Sequence, residues 1–93
     1  MIVGSLRVRL LLRESRSLKD KRQVVRSIKD RLRSRFNISI AEVDDQDVWQ
    51  TVTLGVSAVS NDSKHLTGLL QQIVNHLRMH PVAQLVDHQI DIV

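Results

Sequence analysis

The chain has 93 residues, 14 Lys and Arg against 10 Asp and Glu for a net charge of +4, and 42% hydrophobic content. Those proportions describe a single globular domain spanning 1–93, large enough for one sheet-and-helix core. The absence of cysteine excludes disulfides, thiolate zinc sites, iron–sulfur ligation and cysteine nucleophiles, and points to the cytoplasm.

Gly4, Gly55 and Gly68 are the three glycines. They are spaced too widely for a P-loop or a dinucleotide fingerprint, so a nucleotide cofactor is not expected, and no motif calls for any other. The longest apolar runs, such as Leu10 to Leu12, are three residues, far short of the roughly 20 that span a bilayer. The start MIVGSLRVRLLL carries charge where a signal peptide needs an apolar core, so neither export nor membrane insertion is expected.

From Ile2 to Leu12 the chain alternates, with Ile2, Leu6, Val8, Leu10 and Leu12 on one parity and Ser5, Arg7, Arg9 and Arg13 on the other. This is the pattern of a half-buried strand. At Ser17 the period changes: Leu18, Val25, Ile28, Leu32 and Phe36 recur at helical steps, and Ser17 followed three residues later by Asp20 resembles a capping box. A helix over about 18–36 follows. Asn37 to Val43 is β-branched and short, Asp44 to Asp47 is turn chemistry, and Val48 to Ser60 alternates again, which predicts two strands joined by an acidic turn. Asn61 and Asp62 offer caps to a second helix carrying Leu66, Leu69, Leu70, Ile73, Val74 and Leu77, stopped at Pro81. Val82 to Val93, with Val86, His88, Ile90 and Ile92 in alternation, reads as the last strand. Right-handed crossovers turn this order into an α+β, ferredoxin-like βαββαβ domain: a four-stranded antiparallel sheet, strands one and three central, both helices on one face.

The charge is unevenly distributed. Residues 1–35 hold twelve Lys and Arg against three acids, and residues 36–93 hold two against seven, so the halves carry opposite signs. In the first helix Lys19, Arg22, Arg26, Lys29 and Arg33 step by three and four and form one stripe about 21 Å long at 1.5 Å per residue. Such a stripe suits a run of phosphates; a solvated helix face is the other reading. On the uncovered sheet face, parity places Arg7 and Arg9 near Trp49, Thr51 and Thr53, where guanidinium planes and an indole could meet an unpaired base. The same face, with Trp49, Leu11, Val3 and Val59, could equally be a homodimer contact, with plain exposure to solvent as the third reading.

Other constellations fall short of chemistry. His76 and His80 have metal-ligand spacing on a helix, but Leu77 stands where a zinc protease needs its Glu, and a solvated helix end is the expected setting. Glu42, Asp44, Asp45 and Asp47 match no calcium loop; they read as turn chemistry, or as acids pairing with a neighbouring subunit's basic stripe. Lys21 falls in the apolar arc of the first helix and is expected to snorkel out of it. Ser17 lacks a nucleophile context. No catalytic residue and no metal site is assigned.

The segments SLKDKRQVVRSIKDRL (Ser17 to Leu32), ISIAEVDDQDVWQ (Ile38 to Gln50) and VSAVSND (Val56 to Asp62) resemble the YlxP-like family of small bacterial proteins. The resemblance covers nearly the whole chain. It implies a ferredoxin-like fold and a bacterial cytoplasmic protein, of a kind often encoded beside translation-initiation and ribosome-maturation factors. It implies no activity and no catalytic residues, so Ser17, Lys19, Lys21, Arg22, Glu42, Gln46, Trp49 and Gln50 take from it only a place in a pattern. The expected function is non-enzymatic binding of RNA or the ribosome through Lys19, Arg22, Arg26, Lys29 and Arg33, with Arg7, Arg9 and Trp49 as a second surface. The alternative is a homodimeric structural or small-ligand-binding module using the open sheet face.

Overall fold

The alternation at the start of the chain persists in space. In the computed structural model, which describes residues 1–93, Leu6, Val8, Leu10 and Leu12 are buried while Ser5, Arg7 and Arg9 are exposed. The elements are β1 (Ile2–Leu11), α1 (Leu18–Arg35), β2 (Ser39–Asp44), β3 (Thr51–Ser60), α2 (Ser63–Arg78) and β4 (Gln84–Ile92). The strands pair antiparallel in the order β2-β3-β1-β4, so β1 and β3 are central. With both helices packed on one face, this is the ferredoxin-like α+β fold.

One core joins the inner sheet face to both helices: Leu6, Val8 and Leu10 from β1, Val52, Leu54 and Val56 from β3, Val25, Ile28 and Leu32 from α1, and Leu70, Ile73, Val74 and Leu77 from α2. Full burial of each such side chain contributes about 1.5–3 kcal/mol. The helices start where their caps dictate. Ser17 Oγ accepts from Asp20 N at 3.1 Å, and Asp20 Oδ2 accepts from Arg16 N at 3.1 Å. Asp62 Oδ1 accepts from Lys64 N at 2.9 Å and His65 N at 3.3 Å, satisfying donors that a helix N-terminus leaves free. Gly4 lets α2 approach β1: a Cβ there would lie 2.9 Å from Leu66 Cδ2.

Two departures from the expected pattern matter for the surface. β3 begins at Thr51 rather than Val48, and Val48 and Trp49 belong to the preceding turn, both exposed. The register of β4 against β1 shifts between Arg9 and Leu10, so Val86 is a bulge residue. Leu85, rather than Val86, then faces inward with the half-buried His88 and Ile90.

Candidate nucleic-acid interface

The helical period that buries Val25, Ile28 and Leu32 also fixes the outward direction of the basic stripe, about 110° around α1 from the centre of its buried face at 100° per residue. Lys19, Arg22, Arg26 and Arg33 are exposed and Lys29 is half-buried. None of the five forms an ion pair; the chain's two salt bridges are Arg7–Asp44 and Lys21–Glu42. Arg33 reaches across to β2, its Nη2 donating to the Ile40 carbonyl at 3.1 Å. The stripe therefore overhangs β2, an edge strand, and Arg33 blunts that edge by occupying one of its free acceptors. Lys19, Arg22, Arg26 and Lys29 make no hydrogen bond through their side-chain nitrogens.

Lys21 does not snorkel. Its side chain is 1% exposed, and Nζ donates to the carbonyls of Asp45 at 2.5 Å and Val48 at 2.7 Å. Nζ also lies 2.9 Å from Glu42 Oε2, whose hydrogen-bond geometry is unmet, so that contact is Coulombic. Snorkelling fails because the first turn of α1 is roofed by the β2–β3 turn, which offers two carbonyls and a carboxylate at the distance the ammonium can span. Asp45 takes a left-handed backbone, φ 60°, which Asp tolerates better than most residues. Its carbonyl also receives Val48 N at 3.0 Å, and its Oδ2 receives the Thr53 hydroxyl at 2.7 Å. Gln50 Nε2 completes the brace by donating to the carbonyls of Arg13 and Ser15, at 3.1 and 3.2 Å.

The uncovered face consists of rows that cross the sheet. Val59, Val3 and Val93 form one, since Val3 and Val93 exchange backbone hydrogen bonds of 3.0 and 2.8 Å. Ser57, Ser5 and Asp91 form the next, then Gly55, Arg7 and Gln89, then Thr53, Arg9 and Asp87, with Thr53 itself buried, its hydroxyl bonded to Asp45. Arg7 Nη2 lies 3.3 Å from Asp44 Oδ2, and Arg9 stands opposite Asp87, so acids interleave with both arginines. Trp49 does not join them. Arg7 and Arg9 pair with Gly55 and Thr53, and the indole, 52% exposed, sits beyond the end of β3 in the turn held by Lys21. The alternation holds from Thr51 onward, where Thr53 pairs with Arg9 and Thr51 with Leu11, but the strand does not extend back to Val48. The expected surface of Arg7, Arg9 and Trp49 thus draws on two elements, β1 for the arginines and the turn before β3 for the indole.

The acidic turn is engaged within the chain: Glu42 with Lys21, Asp44 with Arg7, and Asp45 with Thr53. His80 is not a free helix-end side chain, because its Nδ1 accepts from Val82 N and Ala83 N at 3.2 and 3.1 Å. The hydrogen of the neutral ring therefore sits on Nε2. The pKa values of His76 and His80 lie below the ordinary 6.5, first because of burial, then because of neighbouring charge: Arg35 and Arg31 for His76, Arg31 and His76 for His80. No group of three or more His, Cys, Asp or Glu side chains is placed to hold a metal, and no helix is long and apolar enough to cross a membrane.

Residues 3–90 match the family described as Protein of unknown function (DUF503). The chain belongs to the DUF503 family. Over 80 residues, 86% of the chain and 87% of the relative, this DUF503 member is 31% identical to Uncharacterized protein YlxP of Bacillus subtilis (strain 168). The segments that carry the YlxP-like resemblance meet in space in this DUF503 chain: Ser17 caps α1, while Lys21, Glu42 and Gln50 build the brace beneath the β2–β3 turn. Sequence reasoning overlooked that brace; its signal was a lysine in an apolar arc together with a glutamate on the inward parity of β2.

Proposed function

We propose that this chain is a cytoplasmic, non-enzymatic RNA-binding protein, acting on RNA or the ribosome, whose α1 stripe engages phosphates. The observation that carries this reading is that Lys19, Arg22, Arg26, Lys29 and Arg33 share one face without any carboxylate partner. Like charges so aligned repel one another, and a polyanion relieves that repulsion while releasing its counterions. Fluorescence anisotropy of labelled structured and single-stranded RNA across a salt series tests it, with an Arg22→Gln/Arg26→Gln/Lys29→Gln variant that spares Arg33 and the β2 edge. The expected result is a steep salt slope that the variant flattens. Equal affinity and slope in both proteins would end the proposal.

A homodimer through the open sheet face is the second reading, favoured by the exposed row Val59, Val3 and Val93. It requires a dimeric mass at micromolar concentration that Val3→Asp converts to a monomer; a monomeric mass for the unmodified chain rejects it.

A further inference from the structure

A concavity lies on the flank opposite the stripe, between the C-terminus of α2 and the start of β4. It is a groove of about 500 Å³ whose polar rim is Arg13, Arg78, His80 and Glu14 and whose apolar lining includes Leu11, Val82 and Leu85. Arg78 is one of only two Lys or Arg residues beyond Arg35, yet it shares this groove with Arg13 from the other half of the chain. Neither guanidinium has a carboxylate partner. Arg13 is oriented by one bond, its Nε donating to Gln84 Oε1 at 3.1 Å, so its Nη groups remain free. His80 has its Nδ1 committed to the Val82 and Ala83 amides, so its Nε2–H is a donor.

We propose that this groove is a binding site for a hydroxylated organic phosphomonoester, a sugar phosphate or the 5′-phosphate end of a nucleotide chain. Arg13 and Arg78 take the phosphate as charge-assisted donors, with the His80 Nε2–H as a neutral third. The apolar lining faces the carbon skeleton, and Glu14 accepts from a sugar hydroxyl. The charge balance selects an ester over a bare anion. Two full positive charges line the groove with one carboxylate and the partial charge of about −0.5 at a helix C-terminus, and Arg31 of α1 adds a positive charge acting on His80, so inorganic phosphate is attracted but leaves Glu14 facing an anion. A ligand that also brings hydroxyl donors turns Glu14 from a repulsive group into a partner. The site shares no side chain with α1 and does not rest on the RNA reading.

NMR titration of the folded chain with ribose 5-phosphate, inorganic phosphate and ribose, at matched ionic strength, tests it. Ribose 5-phosphate is expected to shift the Val82, Ala83 and Gln84 amides and the Arg13 Nε–H saturably, and more tightly than either fragment. Arg13→Gln and Arg78→Gln should each weaken it about tenfold, in line with loss of a charged hydrogen bond. Glu14→Gln should remove the preference over inorganic phosphate while leaving phosphate binding unchanged or tighter. The arginine side chains are exposed, and unshifted spectra of the remaining residues report that each variant is folded. A 5′-phosphorylated RNA oligomer compared with its 5′-hydroxyl form separates the sources. Preference for the phosphorylated end over ribose 5-phosphate assigns a nucleic-acid terminus, and the reverse assigns a free sugar phosphate. Non-saturating shifts, shifts confined to α1, or a ligand response unchanged by both arginine variants would overturn the proposal. Because the stripe variant leaves Arg13 and Arg78 intact, failure here and failure of RNA binding are read separately.

Discussion

Lys21 Nζ lies 2.9 Å from Glu42 Oε2, and that contact ties the first turn of α1 to β2 beneath a turn whose backbone the same ammonium holds at two carbonyls. Removing the cation leaves a buried carboxylate oxygen without its counter-charge and takes one donor from each of two carbonyls, of which only that of Asp45 keeps another, Val48 N. Breaking a buried pair from one side costs about 3–5 kcal/mol, a large share of the roughly 5–15 kcal/mol that stabilises a domain. Lys21→Met is therefore expected to lower the urea midpoint sharply and to shift Trp49 emission in the native baseline as the turn loosens. Lys21→Met/Glu42→Leu should recover part of the loss, since no unpaired charge then remains. A Lys21→Met protein within about 1 kcal/mol of the parent would show that the brace contributes little.

Gly4 and Gly55 make a matched pair of tests. A Cβ at position 4 would lie 2.9 Å from both Cδ2 and Cγ of Leu66 and 3.0 Å from Leu70 Cδ1, and both leucines are fully buried. They have nowhere to move, so Gly4→Ala is expected to cost about 1–3 kcal/mol through overpacking. At position 55 the obstacle is Val43 Cγ1 at 2.8 Å, on an exposed side chain in the bulge of an edge strand. Val43 can rotate away, so Gly55→Ala should cost less than about 1 kcal/mol. Chemical denaturation of the two variants gives the order; a reversed order would contradict the packing.

Most of the fold was legible because burial on one side imposes a period. Leu6, Val8, Leu10 and Leu12 show period two, and the α2 series from Leu66 to Leu77 keeps a helical period throughout. Capping residues Ser17 and Asp62 marked both helix starts. What escaped were features that depend on where the chain leaves a regular element. Trp49 lies in a turn whose geometry is set by Asp45 in a left-handed conformation and by a bulge at Val43, and neither has a periodic signature. Lys21 was legible as an anomaly in an apolar arc, but its partners are main-chain carbonyls, which every residue possesses and no sequence pattern singles out. The charge stripe was fully visible, whereas the Arg33 bond to Ile40 and the meeting of Arg13 with Arg78 required the tertiary structure.

His76 and His80 set a pH response with a definite sign. Both have folded pKa values below 6.5, through burial first and then positive neighbours, Arg35 and Arg31 for His76, Arg31 and His76 for His80. The unfolded chain therefore takes up protons before the folded one as pH falls. Their contribution to stability is fully present above about pH 6.5 and is lost progressively as pH drops through the folded values. His80 adds a geometric reason, since protonating Nδ1 would eject the Val82 and Ala83 amides from their acceptor. NMR titration should place both rings below 6.5, and Arg35→Gln should raise His76 more than His80. A His76 midpoint at or above 6.5, or one unmoved by that substitution, would contradict the arrangement.

Arg7 and Arg9 separate the two basic surfaces from each other. Arg7 and Asp44 are 57% and 61% exposed at the side chain, so their ion pair adds at most about 1 kcal/mol, and Arg7→Gln should leave stability nearly unchanged. In RNA binding the two surfaces should differ more. Each stripe cation that contacts a phosphate steepens the dependence of log K on log salt by about 0.7–0.9, because no carboxylate competes for it. Arg7 and Arg9 stand beside Asp44 and opposite Asp87, so a phosphate approaching them meets carboxylates as well. Arg7→Gln/Arg9→Gln is expected to change the slope by well under one, against roughly two or more for the Arg22, Arg26 and Lys29 triple variant. If the sheet-face double variant flattened the slope as much as the helix variant did, the contact would span both surfaces, with the Asp44 and Asp87 carboxylates turned away from the bound phosphates.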